Sequence, residues 1–365
     1  PEIVAIGRQY HPEQPYSDPR VTVYVDDARH FFHRADPGYD LVIFGYLDSH
    51  RLLSAMSSLR LDSFVFTVES FQEVRQLLAP SGIQLTSFAV STPRFVGRLY
   101  EMLSLAYDQQ PVILSEQGYI SIGAVLVSGP GLRELGLMHS PRPHDPETAK
   151  AVPATDDWPF FYAATRALPR EYILALVIVA LISALVLAGV SRPVRLPDAH
   201  FFFLGAGFML LETRNITSLA LVFGSTWYVY SVVFLSILIM AILSALLVLK
   251  GPRLGTTLVY LGLLAAIGCN YLLPLDRLAS GGLLTRIIVA GGMTALPLLF
   301  SGIVFARSFS ASTNPARALG SNILGGVLGG IVEYLGMITG LRYLLLLAAL
   351  LYLLSWFAAR RLRFS

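Results

Sequence analysis

Residues 228–249 read YVYSVVFLSILIMAILSALLVL, a stretch with no charged side chain. At about 1.5 Å of rise per residue, some 20 helical residues cross the roughly 30 Å of hydrocarbon in a bilayer, so Tyr228–Leu249 is long enough to span one. Outward from it, comparable apolar runs lie at Tyr172–Val190, Phe201–Phe223, Leu254–Leu273, Leu283–Phe305, Leu319–Thr339 and Leu341–Phe357. Together they predict seven crossings, a multi-pass protein of the cell membrane, and the lipid bilayer as its first partner. Composition agrees: 54% of the 365 residues are hydrophobic, only 14% are charged, and the mean hydropathy is +0.60. That is too apolar for an ordinary soluble protein.

Before residue 170 the pattern changes. Val21–Val25 and Leu41–Phe44 read as β-branched or apolar strands, with a helix over Ala28–Arg34 and the turn Asp36-Pro37-Gly38 between them. Thr67–Ala79 reads as a helix N-capped by Thr67 and stopped by Pro80-Ser81-Gly82. Strands follow at Ile83–Phe88, Val112–Leu114 and Ile122–Val127, and an amphipathic helix at Phe95–Tyr107. The expected fold class is therefore α/β Rossmann-like, part of a doubly wound sheet, followed by a multi-pass α-helical transmembrane bundle. The expected boundaries are 1–130 for the α/β domain, 131–170 for a linker and 171–365 for the membrane domain. The linker ends in Thr155-Asp156-Asp157-Trp158-Pro159-Phe160-Phe161-Tyr162. Its rings suit the headgroup region, which predicts an interfacial anchor; the alternative is a lid over a site.

A net charge of +3 and a pI near 9.0 do not point to nucleic acid, because the basic residues are scattered between apolar runs. Cys269 is the only cysteine and has no metal-ligand spacing around it, so neither a disulfide framework nor a metal site is expected. The sequence opens at Pro1 with no basic-then-apolar leader and is expected to be N-terminally truncated.

Candidate chemistry begins at Asp26-Asp27-Ala28, at the carboxyl end of the first predicted strand, where open α/β sheets bind ligands. A carboxylate there accepts hydrogen bonds from an amino group or a ribose, or else caps the next helix. Beyond the second strand stand Gly45, Asp48 and His50. Asp48 and His50 suit an acid/base pair, Asp48 alone suits a cationic substrate, and a plain polar turn uses the same residues. In the membrane half, Glu212, Arg214 and Asn215 fall within the second run and Glu333 within the sixth. A charge at mid-bilayer costs about 2.5–3.5 kcal/mol, so these residues are expected to face the interior, with Glu333 paired to Arg214 as a structural ion pair or a translocation site. Gly320, Gly325, Gly326, Gly329, Gly330 and Gly336 predict that the sixth helix is central and closely approached.

The order of these motifs resembles the spermidine synthase family, within the S-adenosylmethionine-dependent transferases. The resemblance is carried by Asp26-Asp27-Ala28 after a strand, Tyr39-Asp40-Leu41-Val42-Ile43, Phe66-Thr67-Val68-Glu69-Ser70-Phe71, and Leu77-Leu78-Ala79-Pro80-Ser81-Gly82. The opening Pro1-Glu2-Ile3-Val4-Ala5-Ile6-Gly7-Arg8, the Thr155–Phe160 element and Phe223-Gly224-Ser225-Thr226-Trp227 look like the bacterial membrane-fused members. The resemblance implies a nucleoside site for S-adenosylmethionine or decarboxylated S-adenosylmethionine, with Asp27 and Ala28 at the adenine and Asp48 facing a small amine substrate. The family's glycine-rich turn and ribose-binding acid should precede Pro1. Gly45 stands where the family has the carboxylate that deprotonates the amine, which puts the transferase activity itself in question. The rival expectation is a transporter or channel with a degenerate or regulatory α/β domain.

The resemblance implies a cytoplasmic α/β domain, near the cofactor pool. Seven crossings, however, put Arg192, Arg195, Lys250, Arg253, Arg307, Arg317, Arg360, Arg361 and Arg363 on the opposite side, against mainly Arg166, Arg170, Arg277 and Arg342 on its own. The positive-inside rule then points the other way.

Overall fold

The computed structural model describes residues 2–45, 47, 64–88, 93–115, 123–141, 151–190, 197–223, 227–250, 255–273 and 287–361. Its first part contains α1 (Glu2–Tyr10), α2 (Ala28–Phe32), β1 (Tyr39–Gly45), α3 (Val68–Leu77), β2 (Leu78–Phe88), α4 (Pro93–Tyr107), β3 (Val112–Ser115) and β4 (Ala124–Ser128). The four strands form a small mixed sheet in the order β1-β2-β4-β3. β1 and β2 are parallel, and β4 runs antiparallel to both β2 and β3. A parallel pair needs a crossover, and α3 is part of it. Its start is fixed as its sequence implies: Thr67 Oγ1 accepts the Ser70 N–H at 3.2 Å. Phe44, Phe66, Phe71, Phe88, Phe95, Leu99 and Phe161 share one buried core between the sheet and its helices.

Two local expectations give way. Val21–Val25 joins no ladder, and Val21, Tyr24 and Val25 are exposed, because no neighbouring strand pairs with them among the described residues. Pro80-Ser81-Gly82 does not end a helix. The chain is already extended at Leu78, and the β1–β2 register shifts between Tyr39 and Leu41, so these turn residues sit in a strand irregularity. Gly82 lies so close to β1 that a Cβ would stand 2.5 Å from the Tyr39 carbonyl oxygen.

The second part is helical: α5 (Arg170–Val190), α6 (Ala199–Phe223), α7 (Trp227–Lys250), α8 (Thr256–Leu272), α9 (Gly292–Ser310), α10 (Pro315–Val332) and α11 (Tyr343–Arg361). A π-helical turn, Ile287–Gly291, precedes α9, and one further helical turn, Gly336–Thr339, follows α10. Four helical stretches among the described residues are long and apolar enough to cross a membrane: Val233–Lys250, Ile288–Ser310, Pro315–Thr339 and Tyr343–Arg360. Thr256–Leu272 is apolar but shorter. The outward leucines and isoleucines of α7, such as Leu235, Leu238, Ile242 and Leu246, are the exposed apolar face that lipid would cover.

Glycine brings α6 and α10 together. A Cβ at Gly325 would stand 1.8 Å from the Phe202 carbonyl oxygen, one at Gly329 2.6 Å from that of Ala206, and one at Gly205 2.0 Å from that of Asn322. The expected close approach is thus confined to one stripe of α10, while Gly320, Gly326 and Gly330 face open space. Gly325→Val should therefore cost at least the 1–3 kcal/mol typical of overpacking, while Gly326→Ala should be neutral or slightly stabilising through helix propensity. Thermal unfolding in detergent checks this, and equal melting temperatures for the two variants would contradict it.

The two ends of the bundle are distinguishable. Asp198, Thr256, Arg307 and Ala359 surround one cavity at one end, whereas Arg342 and Tyr271 meet at the other, beside Asp157. Arg307 and Arg360 therefore lie away from the α/β part and Arg342 lies next to it.

Candidate functional site

α3 feeds β2, which runs parallel to β1, so the start of α3 at Thr67 marks the carboxyl edge of the sheet. Asp27 is at this edge. It is the N-cap of α2, its Oδ1 accepting the N–H groups of Arg29 at 2.9 Å and His30 at 3.2 Å, and Ala28 is the first helical residue. Of the two readings of Asp27, the capping role is therefore filled by one carboxylate oxygen. Gly45 ends β1, and among the described residues the nearest side-chain atom to where its Cβ would be is Ile43 Cγ2, at 3.9 Å. Asp48 and His50 lie outside the described residues.

The same edge holds a buried ionic network that the sequence did not single out. Arg29 is 2% exposed. Its Nε and Nη2 donate to the two oxygens of Glu73 at 2.9 and 2.6 Å, and Nη1 and Nη2 donate to those of Asp156, both at 2.9 Å. Nη1 also reaches the Phe64 carbonyl at 2.9 Å and Thr67 Oγ1 at 3.0 Å. Burial alone would lower the Arg29 pKa, but Asp156 and Glu73 outweigh it and hold the guanidinium charged. Thr67 Oγ1 donates to Asp156 Oδ1 at 2.7 Å, and Glu69 Oε2 accepts the Asp156 N–H at 2.9 Å. Burial, and then the charge of Asp156, push the Glu69 carboxyl up to about 7. Thr67, Glu69 and Asp156 all belong to motifs quoted above, but Arg29 and Asp156 are 127 residues apart and no periodicity links them.

Asp156 begins a strap that joins the two parts of the molecule. Asp157 turns to the bundle: its carbonyl accepts the Leu341 N–H at 2.8 Å and its Oδ1 the Arg342 N–H at 2.7 Å. Gly340 has φ +97°, and a Cβ there would lie 2.4 Å from Asp157 Oδ2, so this contact requires glycine. Trp158 is fully buried, and its Nε1 donates to the Met337 carbonyl at 2.7 Å. Phe160 joins the bundle's core, whereas Phe161 enters the α/β core. Arg98 of α4 donates to the Phe161 and Ala163 carbonyls, the latter at 2.7 Å, with its guanidinium 5.7 Å from the Trp158 ring. These rings are thus packed between protein surfaces rather than presented to headgroups as the composition implied.

The intramembrane polar residues divide. Asn215 is buried and donates from Nδ2 to the Thr294 carbonyl at 2.9 Å. Glu212 is partly buried. Glu333, in the 3₁₀ turn after α10, lies beside Thr213, whose hydroxyl donates to the Met209 carbonyl at 3.1 Å. Arg214 Nη1 donates to Thr217 Oγ1 at 3.3 Å, its Nε has no partner among the described residues, and Asp157 and Arg342 are the nearby charges among them. No ion pair joins Glu333 to Arg214 among the described residues. The reason is geometric: successive helical residues point about 100° apart, so Thr213 meets Glu333 while Arg214 turns toward the strap.

No cluster of three or more His, Cys, Asp or Glu side chains suited to a metal ion occurs among the described residues. Compared with known proteins, the chain matches no family model, no curated protein and no solved structure.

Proposed function

We propose that this chain is a membrane-embedded, spermidine synthase-like protein. In this reading its Rossmann-like α/β domain takes a nucleoside of the S-adenosylmethionine type at the carboxyl ends of β1 and β2. One observation carries the reading: the edge at which an open α/β sheet binds ligands is the edge stitched to the helices through Arg29, Thr67 and Asp156. A ligand there would sit beside the strap.

Efficient aminopropyl transfer is not part of the proposal. An alkylamine with a pKa near 10.4 is protonated at neutral pH, and a positioned base contributes roughly 10²–10⁴-fold in rate. Gly45 offers no such base. Gly45→Asp puts a carboxylate at that position and is the variant in which activity toward decarboxylated S-adenosylmethionine and putrescine should emerge.

Calorimetry with S-adenosylmethionine on the full chain in detergent tests the site. Binding is expected to be weak, because among the described residues β1 lies at the sheet edge with Leu41 and Ile43 exposed, and a single parallel pair of strands frames the ligand. Asp27→Asn keeps the helix cap but removes the charge, and should weaken binding by a further 1–3 kcal/mol or so. Unchanged affinity would remove Asp27 from the site. The reading also requires a cytoplasmic α/β domain, against the arginines at the far end of the bundle. Met138 is 86% exposed, and labelling of Met138→Cys from outside intact cells would end the cofactor assignment.

The transporter reading rests on a different observation, the largely buried Arg214 whose Nε has no partner among the described residues.

A further inference from the structure

Between α6, α7 and α9, with Asn322 of α10 in its wall, lies a cavity of about 510 Å³. That falls within the roughly 300–1,000 Å³ of small-molecule sites, which often lie between the helices of a bundle. Two of its wall residues, Ser244 of α7 and Gly302 of α9, bring those helices together, since a Cβ on the glycine would stand 2.6 Å from Ser244 Oγ. Around that contact the wall has only the short side chains of Ala241, Ala245 and Ala306, which leave the space between the helices unfilled. The rest is hydrocarbon, from Leu204 and Phe208 of α6, Ile237 of α7, and Leu298, Phe305 and Phe309 of α9.

The polar groups of the wall are spent on backbone. Ser244 Oγ donates to the Ala241 carbonyl at 2.8 Å, Ser301 Oγ to that of Leu298 at 3.0 Å, Ser310 Oγ to that of Arg307 at 3.0 Å, and Asn322 Nδ2 to that of Phe201 at 3.2 Å. No charged side chain lines the cavity among the described residues. A polar occupant would give up its hydration for little return, whereas an apolar one gains the dispersion contacts that an empty space forfeits. Depth and mouth decide which apolar occupant that is. Three of the membrane-length stretches, Val233–Lys250, Ile288–Ser310 and Pro315–Thr339, contribute to the wall, so the cavity lies at the level of the bilayer. Leu204, Ser244, Leu298 and Ser301 are buried, but Ala241 and Ala245 are exposed. By helical spacing these two alanines share a face of α7 with the outward Leu238 and Ile242, so the cavity opens on the face that lipid covers. Acyl chains are the molecules at its mouth.

We propose that this cavity is a lipid-chain site, which takes one hydrocarbon chain of a membrane lipid sideways from the bilayer. The site is independent of any ligand of the α/β part. The test uses the full chain in phosphatidylcholine nanodiscs that include a phosphatidylcholine with a diazirine on one acyl chain, with adducts mapped by peptide mass spectrometry after photolysis. Adducts are expected on the buried Leu204, Leu298 or Ser301, which lipid reaches only through the cavity, as well as on outward residues such as Leu346 and Leu350 of α11. Ala241→Phe puts a ring in the mouth and should cut the buried adducts about tenfold, the discrimination that overpacking supplies, while those on α11 stay unchanged. Ala245→Leu, a smaller change on the same face, should act in the same direction, which keeps the test alive if Ala241→Phe misfolds. Ile242→Phe enlarges a neighbouring side chain outside the cavity wall and should change neither set. Parental adducts confined to outward residues, buried adducts that survive both alanine variants, or an equal fall in Ile242→Phe overturns the proposal. So does a dimer held through α7 with no buried adducts, which would put a second copy at the mouth instead.

Discussion

Trp158→Ala is expected to cost about 3–5 kcal/mol and to uncouple the α/β part from the helices. The indole is fully buried, stands edge-on to Phe160 at 5.6 Å between ring centroids, and lies near the guanidinium groups of Arg98 and Arg166 at 5.7 and 5.3 Å. Truncation removes that apolar area, leaves a void between α4 and the bundle, and strips the Met337 carbonyl of its donor. Neither core on its own is emptied, because Phe161 continues to fill the α/β side among Phe66, Phe88 and Phe95. The damage is therefore directed at the junction. Cleavage should appear at residues 163–169, and thermal unfolding should separate into two transitions in Trp158→Ala where the parent shows one. Trp158→Phe keeps much of the volume and loses only the hydrogen bond and part of the ring, so it should fall between the two. A Trp158→Ala chain with parental protease resistance would mean that the strap does not hold the parts together.

That junction was the part of the molecule least legible beforehand, and the reason is instructive. Apolar runs, the Thr67 cap and the Phe95–Tyr107 helix are local patterns, and local physics decides them. Asp27 could be narrowed to two uses but not to one, because a strand-to-helix turn places a capping carboxylate and a ligand-binding carboxylate at the same position. Pro80-Ser81-Gly82 carries the chemistry of a stop signal, yet a bulge in β2 consumes the same residues. Trp158, Phe160 and Phe161 suit a headgroup anchor or a lid on sequence alone, because composition reports an aromatic cluster next to a membrane run without saying which apolar surface takes it. The partners that decide the matter, Met337 and the Arg29–Asp156 pair, are 179 residues away from Trp158 in one case and 127 residues apart in the other. Arg214 and Glu333 failed as a pair for a smaller reason, one step of helical rotation.

Arg29→Met should destabilise the α/β part by about 3–5 kcal/mol, the usual result of removing one member of a buried ion cluster and leaving its partners uncompensated. Two carboxylates, Asp156 and Glu73, lose a nearly inaccessible guanidinium, and a third, Glu69, remains beside Asp156. The parent should also be pH-dependent in a definite sense. Glu69 titrates near 7 when folded, against an ordinary value of 4.5. Below 4.5 it is protonated in both states and costs nothing. As pH rises from 4.5 toward 7, the unfolded chain ionises first, so stability falls through that window and levels off above it. Arg29→Met steepens the fall, since the charge that favours ionised carboxylates is gone. Glu69→Gln keeps an oxygen to accept the Asp156 N–H, so it should flatten the fall while costing little at low pH. Hydrogen exchange of the α3 and strap amides between pH 5 and 8 measures all three forms. A parent whose protection rises across that range, or a Glu69→Gln variant with the parental slope, would show that Glu69 is not the group that titrates at the junction.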